Sequence, residues 1–307
     1  MFMRILLTLA LSLTLPSVAQ SPLFTQWGQL LNEKKYSQAE KLCTSWTHSP
    51  TLVTQVEAQK CLANLALCKG QQLTLMGNDQ GGGSLGEGYT PKAVDEALEH
   101  LNEGLRLSPQ DLSIHEGRLH ILEVSGRFDD MAKALDQSVS MVPGADVSRV
   151  WLPYTAELAD MGQIAAGMKL SLILNAHYPD SHEVIGNIGA FYNMLKQPDK
   201  SLPYLQKAVE LAPNDALDNW NLGHALDVAN QTSEADKFYS KALTLDPQSK
   251  QLPGSKCLYA QFVQNKLHDK ERACQLQKTD CETERQTACA ATPSTSDTSD
   301  TSHPQSP

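Results

Sequence analysis

Seven cysteines and nine histidines are the side chains of this 307-residue chain best suited to chemistry. Cys43, Cys61 and Cys68 lie toward one end, and Cys257, Cys274, Cys281 and Cys289 toward the other. No two form C-x-x-C, which removes zinc ribbons, dithiol redox catalysis and c-type haem attachment. Whether these thiols pair depends on the compartment, and the first residues carry an address. Arg4 precedes an uncharged, mostly apolar run from Ile5 to Leu15, Pro16 breaks it, and Ser17-Val18-Ala19 supplies small residues before a cut at Gln20. That is the pattern of a removable secretory leader, and the run is too short to span a bilayer. Residues 1–19 are therefore expected to be a signal peptide, and the chain to be exported, periplasmic or secreted. An oxidising compartment favours disulfides over metal thiolates.

The remaining candidates are weaker. His115 and His120 share one predicted helix and His224 stands alone; a single helical His is more often packed or solvated than ligating. There is no H-E-x-x-H, no G-x-S-x-G and no Walker A sequence. Gly81-Gly82-Gly83-Ser84-Leu85-Gly86 fits G-x-G-x-x-G, but dinucleotide binding needs a strand before it and a helix opening from it. Here a predicted helix precedes it and the next helix begins only at Pro91, so residues 70–90 read as a flexible surface loop. No catalytic residue, metal or cofactor is expected. With 25 Lys and Arg against 35 Asp and Glu, the net charge of −10 argues against binding nucleic acid.

The elements that must position these residues are helices. Apolar side chains are mainly Leu and Ala, and they recur at helical spacing in paired runs. The pairs repeat: Asn221-Leu222-Gly223 falls 34 residues after Asn187-Ile188-Gly189, Ala242 after Ala208, and Pro247 after Pro213. Trp151, Leu158, Gly162 and Pro179 take matching places one step earlier. Leu119, Leu122, Gly126 and Pro143 follow after a shift of two. A turn near Gly126, Gly162 or Asn230 separates the two helices of a unit, and a Pro closes it.

This pattern resembles the tetratricopeptide repeat (TPR) family. The unit at 216–249 carries Leu222-Gly223, Leu226, Ala235, Tyr239, Ala242 and Pro247 at the family's signature positions. Full units are expected at 112–145, 148–181, 182–215 and 216–249, with a weaker one at 20–53. A further unit reads as split, with one helix at 54–69, an insertion at 70–90 and the second helix from Pro91 to Ser108. The implied architecture is an all-α helix–turn–helix solenoid, a right-handed superhelix. Its divisions are 20–109, 110–249, a Cys-containing capping pair at 250–290, and a disordered Ser/Thr/Pro tail at 291–307.

The resemblance implies protein or peptide binding in a concave groove. Carried onto this chain, the inward positions are Glu116, His120, Glu123, Arg149, Leu152, Asn193, Met194, Trp220, His224 and Asp227. Asn187 and Asn221 stand where some members grip a peptide backbone with an Asn ladder. The basic clamp for acidic chain termini is not matched. Unit placement also orders the cysteines. Two cysteines seven residues apart on one helix lie roughly 10 Å apart along its axis, beyond the about 7 Å that a disulfide spans. Cys61–Cys68 and Cys274–Cys281 are thereby excluded, and Cys43–Cys61 is preferred. Cys257 is expected to pair with Cys281, with Cys274 as runner-up, stapling a cap whose few large apolar residues would pack only marginally.

The expected function is an exported scaffold for protein–protein interaction, without an integral membrane span in the mature chain. The alternatives are an enzyme or accessory subunit using the 70–90 insertion as its site, and a spacer joining two ends. The partner, the host and the oligomeric state are not written in the sequence.

Overall fold

The computed structural model describes residues 22–77 and 83–280. The signal-peptide expectation, the tail, Cys281 and Cys289 lie outside these residues. Helices follow one another in pairs, from α1 (Pro22–Asn32) and α2 (Tyr36–Thr47) to α3 (Leu52–Gly70) and α4 (Pro91–Leu107). Next come α5 (Leu112–Val124) with α6 (Phe128–Met141), and α7 (Leu152–Asp160) with α8 (Ile164–His177). A π-helical stretch, Val147–Trp151, runs into α7. Beyond them lie α9 (His182–Met194), α10 (Pro198–Leu211), α11 (Ala216–Val228) and α12 (Thr232–Leu245), then α13 (Ser255–Lys266) and α14 (Lys270–Asp280). The fold is an all-α array of helix–turn–helix repeats with one inserted hairpin. It divides into two compact units between Pro179 and Asp180. That boundary falls close to the junction of the repeats at 148–181 and 182–215.

Local chemistry sets where each helix starts and stops. Asp111, Asp146, Ser181 and Asp215 each accept a backbone N–H of the following first turn through a side-chain oxygen. Such caps satisfy donors that have no partner inside the helix. The first helices α5, α7, α9 and α11 each end on a left-handed residue, in turn Gly126, Gly162, Lys196 and Asn230. After each of these, the next N–H bonds the carbonyl five residues back, at 2.7–2.9 Å. The helices of a pair then close on each other. A Cβ on Gly189 would lie 2.5 Å from Leu205, and one on Gly223 would lie 2.9 Å from Tyr239. Both contacts span sixteen residues, so the repeat reproduces its close approach as well as its helices.

Within residues 22–179 the core runs from Trp27, Cys43 and Trp46 through α3 to Leu101, Leu105 and Ile114. Cys43 and Cys61 are joined in a disulfide with Cα atoms 5.9 Å apart, linking α2 to α3. Cys68 is a free, half-buried thiol, and its burial pushes the pKa up and keeps it protonated. The insertion departs from the expected loop. Strands β1 (Gln71–Gly77) and β2 (Gly83–Tyr89) pair antiparallel, with Gln71 opposite Tyr89 and Gly77 opposite Gly83. Leu73 and Leu75 carry a period of two that the Gly content obscures. Gly83 and Gly86 therefore sit in a strand, which is the wrong context for a dinucleotide fingerprint.

Within residues 180–280 the core is aromatic. Trp220 and Tyr239 lie 4.6 Å apart between ring centroids, Tyr239 and Phe262 5.1 Å, and Tyr259 and Phe262 6.2 Å. The capping helices are thus not marginally packed, contrary to the sequence expectation. Tyr259, Phe262 and Val263 are buried against Tyr239 and Leu226. Asp236 of α12 accepts hydrogen bonds from the Tyr259 hydroxyl at 2.6 Å and from Arg272 at 3.0 Å, and Arg272 also meets Tyr259. Five well-placed side chains outweigh a low average count of large apolar residues. Cys257 and Cys274 are both disulfide-bonded, while the expected partner Cys281 lies outside the described residues.

Candidate functional site

Among the described residues of 180–280 there is a cavity of about 490 Å³. Helix α9 gives it Ala190, Asn193 and Met194, and α11 gives it Trp220, Asn221, His224 and Asp227. Tyr239 forms its floor, and Leu258, Gln261, Phe262, Asn265 and Lys266 of α13 form one wall. Six residues placed inward by sequence thus come together. Met194 and Leu258 are large apolar side chains left 55 % exposed at its edge, where the aromatic core would otherwise be sealed.

The polar groups differ in what they can still do. Asn193 is buried, its amide donating to the Asn221 carbonyl at 3.0 Å and its oxygen accepting from the Ser201 hydroxyl at 2.6 Å. It ties α9 to α10 and α11 while also lining the cavity, with part of its hydrogen-bonding capacity already engaged. Asn221 lines the cavity, whereas Asn187 on α9 does not. His224 is exposed, and Asp227 faces Lys266 at 3.6 Å. The wall from α13 escaped sequence reasoning because that helix reads only as a cap. Its exposed Leu258, immediately before buried Tyr259, shows a second face.

The other inward residues lie on α5 and α7, within residues 22–179. Glu123 is buried and its Oε2 lies 3.4 Å from His120 Nδ1. Glu116 is half-buried, its carboxyl raised by desolvation and partly offset by the Arg149 charge, and its backbone carbonyl accepts from Tyr154 at 3.1 Å. Arg149 is exposed and Leu152 half-buried. His115 is fully buried, its ring nitrogens 2.9 Å from Ser138 Oγ and from the Pro109 carbonyl, so it is a packing residue.

One cluster among the described residues has metal-ligand geometry, namely His182, Asp215 and Asp218. Its atoms already answer one another. His182 Nδ1 lies 2.7 Å from Asp218 Oδ2, and Asp215 caps α11 by accepting from the Asp218 N–H at 2.8 Å. Burial pushes the Asp218 carboxyl up to about 6, against the opposing pull of His182.

Paired helices of 13 and 14 residues, a recurrent left-handed turn and a small residue opposite a large one all point to one repeat family. The tetratricopeptide repeat family profile matches residues 182–215 and 219–249. These units are tetratricopeptide repeats. Solved structures similar to this chain include YrrB, described as a TPR protein with an unusual peptide-binding site. It is 14 % identical over 50 % of this chain and 78 % of its own, with a TM-score of 0.36. MamA 41-end from Desulfovibrio magneticus RS-1 is 20 % identical over 52 % and 88 %, at 0.37. The pilF protein of Pseudomonas aeruginosa is 16 % identical over 60 % and 81 %, at 0.41. At such scores these likenesses carry no argument about the site. Comparison with curated protein sequences gave no match. The TPR units themselves support a protein–protein interaction scaffold, and no described helix is long and apolar enough to cross a membrane.

Proposed function

We propose that this protein is an exported, non-enzymatic TPR scaffold that holds another protein or peptide in a groove formed by its first helices. The observation that carries this reading is the cavity walled by α9, α11 and α13. It joins a Trp220 edge, two exposed apolar side chains and polar groups still open to a ligand, Asn221 and His224. Apolar anchors beside a few hydrogen-bonding groups are the composition of interface hot spots. Export rests on the leader pattern of residues 1–19 and agrees with the Cys43–Cys61 disulfide.

The test uses the full chain with its leader, expressed in an exporting bacterial host. Fractionation should recover the chain outside the cytoplasm and shortened by 19 residues. Proteins captured from that fraction should be lost on Met194→Asp and Leu258→Asp, both at exposed positions where the fold tolerates charge. Glu210→Lys, on an exposed α10 position away from the cavity, should retain them. Capture that survives both cavity variants would move the binding site elsewhere. Retention of the uncleaved chain in the cytoplasm would overturn export.

A further inference from the structure

The inserted hairpin interrupts a helical array, and its backbone makes a demand that no helix makes. A helix pairs its own N–H and C=O groups, whereas a strand needs a neighbour on each side. Strands β1 and β2 pair with each other at seven successive positions, from Gln71 opposite Tyr89 to Gly77 opposite Gly83. Among the described residues no third strand joins either of them, so the sheet has two open edges. The two strands pack chiefly on each other. Such a pair is marginal in water, and further strands or a covering helix are needed for independent stability. Gly77, Gly83, Gly86 and Gly88 lower its strand propensity further.

The two edges are not equally guarded. Natural edge strands resist further pairing by means of charge, proline, a bulge or shortness. Strand β2 carries Glu87 and three of the four glycines. Strand β1 reads Gln-Gln-Leu-Thr-Leu-Met-Gly, with no charge and no proline. Its register runs unbroken through all seven residues, so it has no bulge either. The β1 edge is the one left open to another strand.

The order of residues in β1 selects the strand it can take. Thr74 is the middle residue of the seven. An antiparallel copy of β1 centred there brings every residue into pairing: Thr74 opposite Thr74, Leu73 opposite Leu75, Gln72 opposite Met76 and Gln71 opposite Gly77. Each rung but the central one occurs twice, as a two-fold axis requires. Threonine opposite threonine is a favourable cross-strand pair, and no charge meets a like charge. At a net charge of −10 two copies repel one another in general, and an uncharged strand is where they can meet.

We propose that two copies of this chain associate through β1, joining their hairpins into one four-stranded antiparallel sheet in the order β2, β1, β1, β2. The contact closes on itself, because both outer edges are then β2, where Glu87 and the glycines discourage further addition. The dimer carries two sets of TPR units and so offers a partner two binding sites. One pair of seven-residue strands is a small interface, below the roughly 1,200 Å² of a stable complex, so Kd should be on the order of 10–100 µM.

Sedimentation equilibrium of the full chain from about 5 to about 300 µM brackets that range. The chain should pass from monomer to dimer across it. Thr74→Lys sets two like charges opposite each other on the two-fold axis and should weaken association about fivefold. Thr74→Glu should do the same. An equal mixture of the two variants sets lysine opposite glutamate and should restore association as a mixed dimer. Rescue on mixing also separates a lost contact from a hairpin that fails to form. Ser84→Lys puts the same charge on β2, three strands and at least about 14 Å from its counterpart, beyond the screening length of about 8 Å. It should leave the dimer unchanged. A dimer that ignores Thr74→Lys, or that mixing does not restore, would place the interface elsewhere and overturn the proposal. Equal weakening by Ser84→Lys would show a general effect of charge and overturn it as well. A chain that stays monomeric throughout would leave the β1 edge to a strand of another protein, which also overturns self-pairing. These readouts rest on residues 71–89 and none involves the cavity at 182–266. Failure here leaves the scaffold reading standing, and the reverse also holds.

Discussion

Helices α3 and α11 both open a helix pair, yet they use their side chains differently. Helix α3 buries eleven of its nineteen residues, including Glu57, Gln59, Lys60 and Asn64. Lys60 bridges Glu57 at 3.0 Å and Asp111 at 2.9 Å, and Cys61 ties the helix to α2. Helix α11 buries one side against Leu205 and Tyr239 and turns Trp220, Asn221 and His224 to a cavity. The same kind of helix can thus serve as structural ballast or as one wall of a cavity. Which one it becomes depends on whether its polar groups are answered from inside the chain. In α3 nearly all are; in α11 several are not.

The largest effect expected from breaking this contrast is at Lys60. Lys60→Met keeps the length of the side chain and removes the charge, leaving buried Glu57 and half-buried Asp111 without their cation. Breaking a buried ion pair from one side costs about 3–5 kcal/mol. Burial already raises the Glu57 carboxyl, and losing Lys60 removes the group that opposes this most strongly. Protonation of Glu57 at pH 5 should therefore relieve part of the loss seen at pH 8. Chemical denaturation at the two pH values measures it, and an equal loss at both would show that Lys60 acts through packing alone. In α11 His224→Met, at an exposed position, should leave stability unchanged.

The second effect is redox. The Cys43–Cys61 bridge closes a sequence separation of 18 residues and should contribute about 3 kcal/mol by restricting the unfolded chain. Cys43→Ala with Cys61→Ala should lower the melting temperature of residues 22–124 while the aromatic core of 182–266 melts as before. Hydrogen exchange followed by mass spectrometry resolves the two regions. Uniform deprotection would mean that the bridge does not stabilise one region locally.

Much of this was legible in the sequence, for identifiable reasons. Helix pairs follow from apolar spacing, and their ends from Pro213, Asp215 and Gly126, each of which has a fixed backbone consequence. Residue types could not say which polar groups are already engaged. Asn193 and Asn221 look equivalent on paper, and only the bonds from Ser201 and to the Asn221 carbonyl show that Asn193 is also a strut. The strand pairing at 71–89 was hidden because glycine lowers every propensity it enters. The open face of α13 was hidden because Leu258 stands directly beside core residue Tyr259, and a short helix cannot reveal by periodicity which side will be left open.

The smallest expected effect tests whether the repeat turn is one structural device in both units. Its left-handed residue is glycine at Gly126 and Gly162, with φ of 70° and 76°, but Lys196 at 55° and Asn230 at 59°. A side chain with a Cβ is disfavoured there by roughly 1–2 kcal/mol, and Asn is better tolerated than Lys. Lys196→Gly should relieve that strain. Part of the gain is lost because glycine gives the unfolded chain more freedom, which leaves a net stabilisation of about 0.5–1 kcal/mol. The hydrogen bonds of the turn are from the Lys196 N–H to the Asn193 carbonyl and from the Gln197 N–H to the Tyr192 carbonyl, and neither needs the lysine side chain. The reciprocal change, Gly162→Lys, has open space around its Cβ position, so it should destabilise by a similar amount through backbone strain alone. Opposite signs for the two exchanges would make the turn a common device whose residue differs between units. If both exchanges destabilise, the Lys196 side chain has an interaction of its own, and the two turns are built differently.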